Sequence, residues 1–442
     1  MKFRKFGKTV LTAALSSAIV FSLSSCVRSF TVGYLYVTGT VTATPSGNGI
    51  VTGFKIDNNT GNLRPLDGLP VSSGGANPVR AVLLSGGNFV YVLNRGTTAS
   101  GGPNCTTTDP CQNSNIQEFV VGGNGILTPQ ETFFTQGRNP FRLISDTTGK
   151  FLLAMDHDAP ASTYCPSVGA TSGSCGDITV FAIDPSTGRL SLVTNAQLTS
   201  SSGSQVTYFP IPASPVDFTM ASGFVYTLAG APGTPQTYYA YTYNSTSGQL
   251  ATTLNSATAV NNGEGAQMKQ GTAIIFAGGR IYIPDVEPLS ANGVTSPSQI
   301  VPLTINTTGA LGSLVGGPVP NDPAETDPIY LIIESKGKFL YVANQQGAST
   351  ATGAGIAGFT IDPSSSQLSE TPGSPWGTGA NPQCLLEDPS AQYIYTASSD
   401  SSSVTGKLLD PISGQLDAMR GSTGTFALKG PASWCVATGR TN

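Results

Sequence analysis

Charge is scarce in this chain. Asp, Glu, Lys and Arg together make up 10% of its 442 residues, and His157 is its only histidine. With one imidazole and no C-x-x-C pair among seven cysteines, the recurring metal-ligand spacings are absent, so neither a metal nor any other cofactor is expected. No cluster of Lys and Arg follows the first few residues, which argues against a nucleic acid partner. There is no G-x-S-x-G, no P-loop and no H-E-x-x-H, which excludes the usual serine-hydrolase, nucleotide and zincin signatures. The longest apolar run, Val10 to Leu23, is too short and too rich in Ser and Ala to span a membrane comfortably.

That run has a different meaning. Lys2, Arg4, Lys5 and Lys8 precede it and Leu23-Ser24-Ser25-Cys26 ends it, a layout that resembles a bacterial lipoprotein signal. Residues 1–25 are then a leader, and residues 26–30 are the lipidated N-terminal Cys26 with a short tether, Val27 to Phe30. A four-residue tether reaches on the order of 15 Å, so the body, residues 31–442, would lie against the membrane of the cell envelope, held by its lipid alone.

Gly (53) and Pro (31) are abundant, the profile of many short strands joined by turns. A Gly-x-Leu marker recurs at Gly61, Gly125, Gly188, Gly248, Gly309 and Gly414, with a degenerate copy at Ser366, roughly every 60 residues. Upstream of most markers runs an alternating strand such as Phe54-Lys55-Ile56-Asp57 or Phe181-Ala182-Ile183-Asp184, and an Asp- or Asn-led turn joins the two into a hairpin. Before each hairpin come a strand led by proline (Pro78, Pro140, Pro215, Pro328, Pro382, Pro431) and an aromatic strand (Phe89-Val90-Tyr91-Val92, Phe339-Leu340-Tyr341-Val342). Four antiparallel strands per repeat, here called A to D, and seven repeats predict an all-β, seven-bladed β-propeller. Thr31 to Thr38 reads as a strand B lacking its A, and Gly430 to Val436 as an A lacking its B. The C-terminal strand should therefore complete the N-terminal blade, and one closed ring is expected to act as a monomer.

Six cysteines remain besides Cys26. Cys105 and Cys111 share one B-to-C connection and Cys165 and Cys175 the next, an arrangement suited to disulfides in an oxidising compartment. Cys384 and Cys435 fall in strands A of adjacent blades, where they form either a bond across the ring seam or two buried thiols.

The order of Pro-led strand, aromatic strand, F-x-I-D, turn and G-x-L resembles the lactonase-type seven-bladed propellers, which include 6-phosphogluconolactonases and a cycloisomerase-like branch. The resemblance covers residues 31 to 442. Members typically carry Asn-Pro-His in a strand A and Asp-Leu-Gly-x-Asp at the end of the next strand B. This chain has Asn139-Pro140-Phe141-Arg142 and Met155-Asp156-His157-Asp158 there, so the diagnostic histidine is replaced. Arg80, Arg142 and Asp217, each two residues after the strand-leading proline, are expected to point into the channel. If the protein is a lactonase, the resemblance implies His157 or Asp156 as the base and Arg142 and Arg80 as the clamp on the developing oxyanion. Asp217, Asn94, Arg95 and Asn344 are then candidates for substrate contacts. The competing expectation is a non-catalytic propeller whose loop face binds a protein, a glycan or a surface polymer. Convergence of Arg80, Arg142, Asp156, His157 and Asp217 on one pocket would favour the enzyme.

Overall fold

The computed structural model describes residues 30–41, 48–169, 174–252, 257–261, 267–291, 293–314, 316–349 and 353–439. The leader, Cys26 and most of the tether lie outside the described residues. Seven antiparallel sheets follow one another around a central channel, as the repeat predicts. Blade 2 shows the pattern with strands Pro78–Leu83, Phe89–Asn94, Asn115–Val121 and Leu127–Phe133, innermost to outermost. In the other six blades, strand D is broken into two short pieces that both pair with strand C. The only helical element among the described residues is a 3-10 turn, Ser162–Val168, in the B-to-C connection of blade 3.

The ring closes as the termini imply. Ala432–Gly439 pairs antiparallel with Thr31–Thr40, with Tyr36 opposite Val436 and Thr38 opposite Trp434, so the last strand is the innermost strand of blade 1. Closure gives strand Thr31–Thr40 its inner partner and brings blade 1 to the same strand order as the others. The third disulfide, Cys384 to Cys435, joins strand A of blade 7 to this closing strand, and Cys105–Cys111 and Cys165–Cys175 complete the set.

The Gly-x-Leu marker has a steric cause. Gly125 has φ 82°, and a Cβ there would lie 2.4 Å from the Tyr34 ring, the aromatic residue near the start of strand B in the preceding blade. Gly188 on Phe89, Gly248 on Phe151 and Gly414 on Phe339 repeat the contact. A tyrosine two residues further along strand B also donates to the marker carbonyl, as in Tyr36 to Gly125 (2.7 Å) and Tyr341 to Gly414 (2.8 Å). The degenerate marker confirms the rule. Ser366 keeps the left-handed backbone (φ 61°), but the residue it meets is Arg280, whose Nη2 donates to the Ser366 hydroxyl at 2.9 Å. Where the aromatic is lost, a side chain fits, and the blade contact turns from packing to a hydrogen bond.

Five of the seven strands A begin at a kink that positions the channel side chains. The residue before the leading proline is left-handed at Asn77, Asn139, Ser214, Asp327 and Asn381 (φ 52° to 59°), and the ladder to strand B slips by one residue just after it, as between Pro78 and Arg80. Such a bulge re-aims the next side chain. Strand A of blade 5, Ile275–Ala277, has no leading proline, which is why the repeat did not reveal it.

Candidate functional site

Arg80, Arg142, Asp217, Tyr330 and Trp434 come from the strands A of five blades and line one channel cavity of about 280 Å³. The rest of its wall includes Val82, Ile144 and Thr219, further along three of these strands toward the A-to-B turns, and Phe276 on strand A of blade 5. Asp217 is fully engaged: Arg142 Nε donates to one carboxylate oxygen at 2.9 Å and the Ile274 backbone N–H to the other at 3.1 Å. Arg80 is not paired with it. The residue is 8% exposed, its guanidinium carbon lies over the Trp434 ring at 3.5 Å from the centroid, and among the described residues no acceptor receives a hydrogen bond from it. Burial and then the neighbouring Arg142 charge weaken its hold on its proton, with Asp217 acting the other way. A buried cation with an idle donor edge is costly unless an anion meets it.

A second group stands on the loop face, at the ends of strands B. Arg95 is half buried, its Nε has no acceptor, and burial followed by the Arg142 charge depresses its pKa. His157 Nδ1 lies 3.1 Å from Asp158 Oδ1, which orients the ring and leaves Nε2 free. Burial tends to raise the Asp158 pKa, but hydrogen bonds from His157, Thr107 and Asn139 outweigh it and hold the group ionised. Thr107 reaches Asp158 from the disulfide-closed loop of blade 2, so that loop buttresses the pair. The Phe141 ring sits between the two groups, 6.4 Å from the His157 ring and 5.1 Å from the Arg142 guanidinium carbon.

The sequence candidates therefore separate. Arg80, Arg142 and Asp217 meet in the cavity, whereas His157 is outside its lining, on the loop-face side of the charged layer. Asp156, Asn94 and Asn344 occupy one equivalent position inside their blades, where each accepts a hydrogen bond from the preceding blade: from Thr135 (2.7 Å), Ser73 (2.6 Å) and Asn321 (2.7 Å). All three are 0% exposed. They rivet neighbouring blades and cannot touch a substrate in the cavity, which also removes Asp156 as a base. Asp158, Tyr330 and Trp434 were not picked out as site residues. Tyr330, two residues after Pro328, carried the same positional signal as Arg80, but an aromatic in a strand reads as core.

The chain matches the family model described as lactonase, 7-bladed beta-propeller over residues 34–207 and 303–432. It belongs to that family. The unmatched stretch between includes blade 4 and much of blade 5, the blade without the strand-leading proline. Among solved structures, this lactonase-family propeller is similar to a candidate 6-phosphogluconolactonase of Bacteroides uniformis (15% identity, 92% of this chain and 100% of the other, TM-score 0.62). One from Bacteroides fragilis matches at 18% identity (94% and 99%, TM-score 0.61), and the periplasmic gluconolactonase of Pseudomonas aeruginosa at 16% (92% and 99%, TM-score 0.59). At these identities the likeness concerns the fold. Comparison with curated protein sequences finds no match.

Proposed function

We propose that this propeller is an exported hydrolase of a lactone or related cyclic ester, held to the cell envelope through lipidated Cys26. One observation carries the hydrolytic reading: the buried Arg80 and the partly buried Arg142 share a cavity with a single carboxylate, and Arg80 retains a donor edge with no partner among the described residues. The ring-ester carbonyl oxygen, which becomes an oxyanion as water adds, and the carboxylate of the product both satisfy that edge. His157, oriented by Asp158, takes a proton from water at Nε2. The water oxygen bonds to the carbonyl carbon, the ring C–O bond breaks, and the imidazolium returns the proton to the departing alkoxide, giving a hydroxy acid. Export is supported by the lipobox-like Leu23-Ser24-Ser25-Cys26 and by three disulfides.

A second reading, a propeller that binds an anionic glycan or protein at its loop face without turnover, is favoured by the position of His157 outside the cavity lining. Purified protein assayed against a panel of sugar and aliphatic lactones separates the two. Turnover that falls at least a hundredfold in Arg142→Ala and His157→Ala, with both variants folded, supports the hydrolase. No turnover above the spontaneous rate on any lactone leaves the binding propeller.

A further inference from the structure

The ring seam and the cationic cavity share one residue. Trp434 belongs to the last strand of the chain, Ala432–Gly439, where it pairs with Thr38 of blade 1. Its ring carries the Arg80 guanidinium on one face, and Tyr330 of blade 6 meets the same ring edge-on, at 5.0 Å and 85°. Blade 7 lies between blades 6 and 1, and Pro382 opposite Ser398 places Cys384 at the position that Arg80 holds in blade 2. This small residue lets Tyr330 and Trp434 meet across it. It is also bonded to Cys435, the residue next to Trp434, so the indole is fixed by both a β-ladder and a disulfide.

We propose that Trp434 is a positioning residue for anion recognition. It holds the Arg80 guanidinium flat, so that the in-plane N–H groups face the cavity, and the site consequently exists only in the closed ring. The inference rests on the reading of Arg80 as the anion-binding group. All five guanidinium donors lie in its plane, so a face covered by an indole leaves those donors directed outward, whereas an unstacked arginine would distribute them over many rotamers. The side chain that shapes the site is thus delivered by the strand that shuts the fold.

The chain has two tryptophans, Trp376 and Trp434, and Trp376 is outside the cavity lining. In the Trp376→Phe protein, indole emission therefore reports on Trp434 alone. Arg80→Met in that background should change the intensity of this emission, because it removes a cation from the indole face. Gluconate, the probe anion, should bind Trp434→Leu about tenfold more weakly than Trp434→Phe by calorimetry, since phenylalanine keeps an aromatic face and leucine does not. Emission indifferent to Arg80→Met, or equal gluconate affinity in Trp434→Phe and Trp434→Leu, overturns the proposal. The emission test uses an intact seam and stands even if Trp434→Leu fails to fold. Gluconate binding that depends on Trp434, without turnover of any lactone, would uphold the positioning role and sink the hydrolase reading. Failure of gluconate to bind the unsubstituted protein removes the anion site, and this inference with it, even if some lactone is hydrolysed.

Discussion

Replacing Asp156 by Asn should stabilise this protein, and the gain should depend on pH. Asp156 faces Asp177 across strands B and C of blade 3, and both are 0% exposed. Asp156 Oδ1 accepts from Thr135 at 2.7 Å, but Asp156 Oδ2 and Asp177 Oδ1 have no donor. Burial raises the Asp156 pKa from 3.8 to about 8, with the Thr135 hydrogen bond lowering it and the Asp158 charge raising it. The folded state then holds a proton that the unfolded chain releases between those values, so stability falls as pH rises from 4 to 8. At pH 7 the penalty approaches about 4 kcal/mol. Asparagine is uncharged and can donate from Nδ2 to the vacant Asp177 oxygen. Blades 2 and 6 already use Asn94 and Asn344 at this position, each accepting through Oδ1 as Asp156 does. Thermal unfolding of Asp156→Asn from pH 4 to 9 should show little gain at pH 4, rising to about 2 to 4 kcal/mol by pH 8. A loss of stability at every pH, or a gain independent of pH, would refute this account. Lactone turnover, if present, should survive, because Asp156 does not line the cavity.

Removing the seam disulfide, with Cys384→Ala and Cys435→Ala together, should cost about 4 kcal/mol, against about 2 for the Cys105–Cys111 pair, because it closes the longer loop. Denaturant midpoints of the two double variants test the order. Gly188→Ala should destabilise by about 2 kcal/mol or more, since it meets both a positive φ and the Phe89 ring, whereas Ser366→Ala loses only the bond to Arg280. Calorimetry that ranks them the other way would contradict the steric reading of the repeat. Asp217→Asn should destabilise by about 1 to 3 kcal/mol, because it strips the partly buried Arg142 of its counter-ion. Ending the chain at Gly430 should abolish cooperative melting, as strand Thr31–Thr40 would lose its inner partner.

The sequence alone determined the ring. Gly-x-Leu recurs because six of the seven blades pass a Cβ-free turn over a neighbour's aromatic residue, and a constraint repeated that often leaves a period that can be read without coordinates. The split between Thr31 and Ala432 carried the closure for the same reason: an incomplete repeat at each end has one way to be completed. Even the channel positions of Arg80, Arg142 and Asp217 were visible, because a local bulge after each leading proline sets them. What only the tertiary structure decided is which charges meet. Arg142 pairs with Asp217, 75 residues away, and this leaves Arg80 to Trp434. Asp156 and Asp158 are near neighbours in sequence, yet one faces a buried carboxyl and the other an imidazole. Local propensity sets the strand and the turn; which blades a side chain falls between depends on the closure of the ring, and no short window of sequence contains that.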